Sequence, residues 1–126
     1  MLNTENIQSL IDSGEGYNVE FKVRVPSKVR ELTEEICAFA NADGGYLLIG
    51  VDDNGNPVGM PNIDSMQLKI ADRIKNNILP STLGLFDIVT EEIDKVSVVK
   101  ILISSGLEKP YYIKKQVMSP NGCFTR

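Results

Sequence analysis

The run Phe39-Ala-Asn-Ala-Asp-Gly-Gly-Tyr-Leu-Leu-Ile-Gly-Val-Asp52-Asp53 decides the fold. Leading into it, Val29, Leu32, Ile36, Phe39 and Ala40 recur at helical spacing and give a helix one apolar face. Asp43-Gly44-Gly45 closes that helix, with glycine supplying a left-handed cap. Tyr46 to Val51 is then a continuous apolar run, as expected of a strand buried on both faces. The double glycine also resembles a phosphate cradle. It lies at the C-terminal end of a helix, however, where the dipole repels anions, and the cap is the better reading. Neither a Walker A sequence nor a dinucleotide fingerprint is present.

Upstream, Asn18-Val-Glu-Phe-Lys22 alternates, with Val19 and Phe21 on one face and Glu20 and Lys22 on the other, so a short half-buried strand is expected. Pro26-Ser27 punctuates the chain, and Ser27 is the expected cap of the helix that follows. Residues Asn3 to Ser13 predict a short amphipathic helix carrying Ile7, Leu10 and Ile11, ended by Ser13-Gly14.

Downstream, Asp53-Asn-Gly-Asn-Pro57 reads as a turn. It is not a calcium loop: counted from Asp52, the positions that require Gly and Glu hold Pro57 and Ile63. Ile63 to Leu79 predicts a third helix with Met66, Ile70, Ile74 and Ile78 as its apolar line and Pro80 as its stop. Leu85 to Ile93 and Lys95 to Ser104 predict two strands joined by a tight turn near Asp94-Lys95. Pro110 to Lys115 and Gly122 to Arg126 are weaker strands. Helices and strands alternate early and strands cluster late, so we expect an α+β fold with about three helices on one mixed sheet. Val19, Phe21, Ile36, Phe39, Leu47 and Ile49 should form its core.

The 126 residues suffice for one domain, and 42% apolar with 24% charged residues is ordinary for a globular one. The formal net charge of −4 argues against a protein coated with basic surface, but not against a local basic patch. No apolar run approaches the ~20 residues of a membrane span, and the polar, acidic start is no secretory signal. A cytoplasmic location is expected, with Cys37 and Cys123 as reduced thiols. The absence of His, with only two Cys, excludes a tetrahedral Cys/His zinc site in one chain and the Ser-His and Cys-His nucleophile systems. Cys123-Phe-Thr-Arg126 reads like the interior of a strand, so the chain is expected to be the N-terminal part of a longer protein.

Two constellations carry chemistry. Glu20 and Lys22 share a strand face, Glu15 precedes them, and Asp52 ends the apolar strand. Together they make a candidate three-carboxylate cup for Mg²⁺ or Mn²⁺, with Lys22 as an electrostatic helper at a phosphoryl centre. The plainer alternative is a solvated strand face and a turn. The basic residues gather as Lys22, Arg24, Lys28 and Arg30; as Lys69, Arg73 and Lys75; and as Lys109, Lys114 and Lys115 interleaved with Tyr111 and Tyr112. Such tyrosines can stack on bases. The alternative is ordinary surface charge.

Glu15-x4-Glu20-Phe-Lys22, the run from Glu35 through Gly55, and Gly59 resemble the Schlafen-type Alba-like domain, also filed as a divergent AAA domain. Lys109-Pro-Tyr-Tyr-Ile-Lys114 and Asn121-Gly-Cys-Phe-Thr-Arg126 resemble that family's closing strands. The resemblance implies a DNA-binding domain at the N-terminus of bacterial transcriptional regulators, often followed by a winged-helix region. In the animal branch, two such lobes form a clamp, and some members cleave transfer and ribosomal RNA with three carboxylates. Those positions fall on Glu15, Glu20 and Asp52, with Asp53 as the fallback. A single lobe would need to dimerise to form a comparable clamp. The ATP binding that the older label implies has no phosphate loop here. The favoured reading is a nucleic-acid-binding module of a regulator. The alternatives are a metal-dependent endoribonuclease-like lobe and a dimerisation or ligand-sensing module.

Overall fold

The computed structural model describes residues 7–16, 18–79, 84–106 and 109–113. The elements run α1 (Ile7–Ser13), β1 (Val19–Lys22), α2 (Val29–Asn41), β2 (Gly45–Ile49), α3 (Ile63–Asn77), β3 (Ile78–Leu79), β4 (Phe86–Ile93), β5 (Val96–Ile103) and β6 (Tyr112–Ile113). A mixed sheet has the order β1-β2-β5-β4, and β3 pairs with β6 apart from it. This is the expected α+β arrangement. β1 and β2 are parallel neighbours, so the chain must cross between them, and α2 makes the crossing. β5 then runs antiparallel to both β2 and β4.

β2 is buried along its whole length. Leu47 and Ile49 join Val99, Ile101 and Ile103 beneath α2 and α3. On the other face Tyr46 and Leu48 join Val19, Phe21 and Val98 beneath α1. All six residues expected in the core are buried. The α1 face also holds Lys100, only 5% exposed. Its ammonium lies 3.6 Å from Glu91 Oε1, and Glu91 Oε2 accepts the Ile7 backbone N–H at 3.4 Å. One carboxylate thus ties a buried cation to the first turn of α1.

The turn from α2 into β2 explains the double glycine. Phe39 C=O accepts the N–H of Ala42 at 3.1 Å and of Gly44 at 2.9 Å, the latter closing the wide capping loop of a helix end. Gly44 has φ +81°, and a Cβ there would stand 2.5 Å from the Ile103 carbonyl oxygen. A Cβ on Gly45 would stand 2.3 Å from the Phe39 ring. The segment after β5 is fastened to the same helix end. Asn41 donates to Tyr111 C=O at 2.9 Å and accepts Tyr111 N–H at 2.5 Å, while Gly106 N–H donates to Ala40 C=O at 2.9 Å.

Some element boundaries shift. The cap of α2 is Lys28, still extended at φ −90° and ψ 126°, rather than Ser27. Two residues before it, Pro26 is buried and its carbonyl is held by Arg73 at 2.7 Å, which anchors the approach to the helix. α3 ends at Asn77, two residues before the expected Leu79, because Ile78 and Leu79 pair with Ile113 and Tyr112. The β-branched Ile78 suits a strand, and Pro80 disfavours helix at Leu79. The expected turn is confirmed: Asp94 and Lys95 both have positive φ between Ile93 and Val96. The start of the first helix at Asn3 and the strand Gly122 to Arg126 lie outside the described residues. Cys37 is a buried free thiol, and Cys123 lies outside the described residues. No described helix is long and apolar enough to cross a membrane.

Replacing Gly44 by Ala imposes both a left-handed backbone and a backbone clash. We expect Gly44→Ala to destabilise the domain by at least about 2 kcal/mol, read as a lower urea midpoint, whereas Asp43→Ala on the exposed preceding residue should stay within about 0.5 kcal/mol.

Candidate nucleic-acid interface

The strand face that carries Glu20 and Lys22 packs toward α2. Lys22 Nζ lies 4.0 Å from Glu20 Oε2 and 3.9 Å from Glu35 Oε1, so this half-buried cation sits between two carboxylates. Glu35, on α2, joins the site from outside the expected set. Glu15 plays a different part. Among the described residues β1 is the edge of the sheet, and Glu15 Oε2 accepts the Phe21 N–H at 3.0 Å, giving a partner to a backbone group that such an edge would leave open.

Asp52 is committed to its own loop. Its Oδ1 accepts the N–H groups of Asn54 at 3.0 Å and Asn56 at 2.9 Å, and Oδ2 accepts the Asn56 side-chain amide at 3.4 Å. The Asn56 backbone N–H, above all, holds this carboxyl below its ordinary value. Among the described residues, no group of three His, Cys, Asp or Glu side chains could hold a metal ion. The three carboxylates expected to form a cup each meet a different partner: Glu15 the Phe21 N–H, Glu20 the Lys22 ammonium, and Asp52 the amides of its own loop.

The cations divide by their partners. Lys22 is balanced as above, and Arg30 Nε pairs with Glu34 at 2.6 Å. Lys28 is exposed at the start of α2. Arg24, just past β1, lines a groove of about 360 Å³ together with Lys69 and Arg73 of α3. Val25, Met60 and Met66 give this groove apolar walls, and no carboxylate lines it. Arg73 Nη1 donates to Pro26 C=O at 2.7 Å, pinning α3 to the β1–α2 connection. Among the described residues, neither Arg24 nor Lys69 forms an ion pair.

The remaining wall is placed by Gly50. Its N–H donates to Lys22 C=O at 2.7 Å, and its C=O accepts the N–H groups of Val58 and Gly59 at 2.7 and 3.0 Å. That junction brings Met60 beside the exit of β1.

The expected tyrosine platform needs correction. Tyr111 is 3% exposed and packs in the core beneath α2, so its ring offers no face to a base. Lys114, Lys115 and the side chain of Tyr112 lie outside the described residues. The residues that converge with Arg24 instead come from the second basic group. Met66, Lys69 and Arg73 follow the spacing i, i+3, i+7, which puts them on one stripe of α3 beside the buried Ile70 and Ile74. That stripe was readable in the sequence; its position opposite Arg24 was not.

Asp52→Asn keeps an acceptor oxygen and removes the charge. A carboxyl held below its ordinary value contributes stability above the unfolded pKa and loses it as pH falls through the folded one. We therefore expect wild type to be more stable than Asp52→Asn at about pH 7, and the difference to shrink progressively below about pH 4 as chemical denaturation is repeated at lower pH.

The comparisons with known proteins agree with this fold. The N-terminal domain of a RecG-related protein from Nitrosomonas europaea superposes with a TM-score of 0.71 at 23% identity, covering 98% of this chain and 89% of that one. The DIP2311 protein from Corynebacterium diphtheriae superposes with a TM-score of 0.59 at 20% identity. That match covers 86% of this chain but 23% of the other, so this chain spans about a quarter of that protein. At such identities the likeness is one of fold. No curated protein matches the chain. The Schlafen, AlbA_2 family matches residues 15–126, from the glutamate before β1 through to the last residue, and the chain belongs to that family.

Proposed function

We propose that this domain binds nucleic acid, with the phosphate backbone running along the face where Arg24, Lys69 and Arg73 converge. The observation that carries this reading is the groove itself. Three cations from two separate segments line it, and no carboxylate does, in a chain whose formal net charge is −4. A local positive field of this kind is what a polyanion meets first. Membership of the Schlafen, AlbA_2 family supports the same reading, as does the neighbour described as related to the DNA helicase RecG. As part of a transcriptional regulator, the domain would add affinity more than sequence reading, because cations that address phosphates carry no base information.

Arg24 and Lys69 are exposed, so Arg24→Gln and Lys69→Gln should leave the fold intact. Each should weaken binding to an oligonucleotide, and each should lower the slope of log K against log salt by about 0.7–0.9, the share of one phosphate contact. Titration by fluorescence anisotropy at several salt concentrations measures both quantities. Unchanged affinity and slope in the double variant would remove this face as the interface. Metal-dependent cleavage by the wild type that is lost in Glu20→Gln would replace binding with a nuclease function centred on β1.

A further inference from the structure

We infer that the groove takes one unstacked nucleotide of a single strand, its base against the methionine walls and its flanking phosphates on the cations. The inference rests on the nucleic-acid reading above and goes beyond it by naming the form of the ligand. A face that only followed the outside of a duplex would need cations spaced to meet phosphates, with no use for an apolar recess between them. This one is concave, and its volume of about 360 Å³ lies at the lower end of the range for small-ligand pockets. Its walls are apolar where a base would lie. Met60 and Met66 face the groove from two different segments and are half-buried, with Val25 on a third. Thioethers make favourable contacts with aromatic rings and adapt to their shape. Arg24, Lys69 and Arg73 supply charge around this apolar recess, and a guanidinium plane can itself stack on a base.

An apolar recess with a cationic border complements a base flanked by phosphates. In a duplex the base faces are occupied by stacking, so the recess is useful only where bases are splayed out. The bond from Arg73 to Pro26 holds two walls together before any ligand arrives, which limits the ordering cost of binding. The larger cavity on the other flank of α3, about 730 Å³ and lined by Leu68, Lys75 and Asp87 among others, carries one cation and one carboxylate and lacks this complementarity. It supplies an internal control.

The test uses the whole chain and fluorescein-labelled strands of about twelve nucleotides, as DNA and as RNA, each single-stranded and annealed to its complement, compared at matched salt over several salt concentrations. The single strands should bind about tenfold tighter than the duplexes. Met66→Gln, which keeps the side-chain length, should weaken single-strand binding about tenfold while leaving the salt slope and duplex binding unchanged. Met60→Gln, on the loop side, gives an equivalent reading if α3 rejects a polar residue. Lys75→Gln should have no comparable effect. Duplex binding as tight as single-strand binding, or methionine variants with unchanged affinity, would overturn this inference while leaving the phosphate face in place. A loss in Lys75→Gln equal to that in Met66→Gln would overturn it too, as a diffuse charge effect. A folded chain that binds none of the probes would remove both readings.

Discussion

The constraint on which the structure depends is the closed turn between α2 and β2. β2 is buried on both faces, so it must be covered from both sides at once. The turn leaves almost no freedom in how the first cover is laid. The Phe39 ring occupies the space where a side chain on residue 45 would project, and the Ile103 carbonyl does the same at residue 44. With helix and strand locked at that angle, β1 pairs alongside β2 and leaves the sheet toward the start of α2. α3 then packs beside α2, and the carbonyl of Pro26 meets Arg73. The groove lies where these paths cross, so it follows from how β2 is covered.

The charge pattern follows the same geometry. Formally acidic, the chain commits several of its carboxylates to nearby partners: Glu20 and Glu35 to Lys22, Glu34 to Arg30, Glu91 to Lys100, and Asp52 to its own loop. Beyond a Debye length of about 8 Å a balanced pair contributes little field at physiological salt. What remains is set by cations that form no ion pair among the described residues, and in the groove those are Arg24 and Lys69 beside Arg73. Net charge is therefore a poor guide to what this surface attracts, and local pairing is a better one.

The carboxylates Glu15, Glu20 and Asp52 illustrate how one residue type serves different ends. Glu15 protects a strand edge, Asp52 builds a turn, and Glu20 shares a cation with Glu35. The three oxygen sets act on separate local problems of the fold. Tyr111 makes the same point for aromatics. Its sequence setting among lysines suggests a stacking surface, yet its backbone is clasped by Asn41 and its ring fills the core.

The sequence alone determined whatever acts within a few residues. The apolar stripe of α2, the glycine cap, the uninterrupted β2 and the Asp94-Lys95 turn were all legible, because periodicity and backbone preference are local properties. So was the α+β class, since the order of elements restricts how they can be layered. The tertiary structure decided the rest. Ile78 and Leu79 left the helix because a distant strand offered them partners, and the partition of cations into paired and unpaired depended on side chains from other elements. Arg24 and Arg73 lie 49 residues apart in the chain and line one groove. No local signal records that distance closing: an interaction between separate elements gains its energy only after the core has fixed where each of them stands.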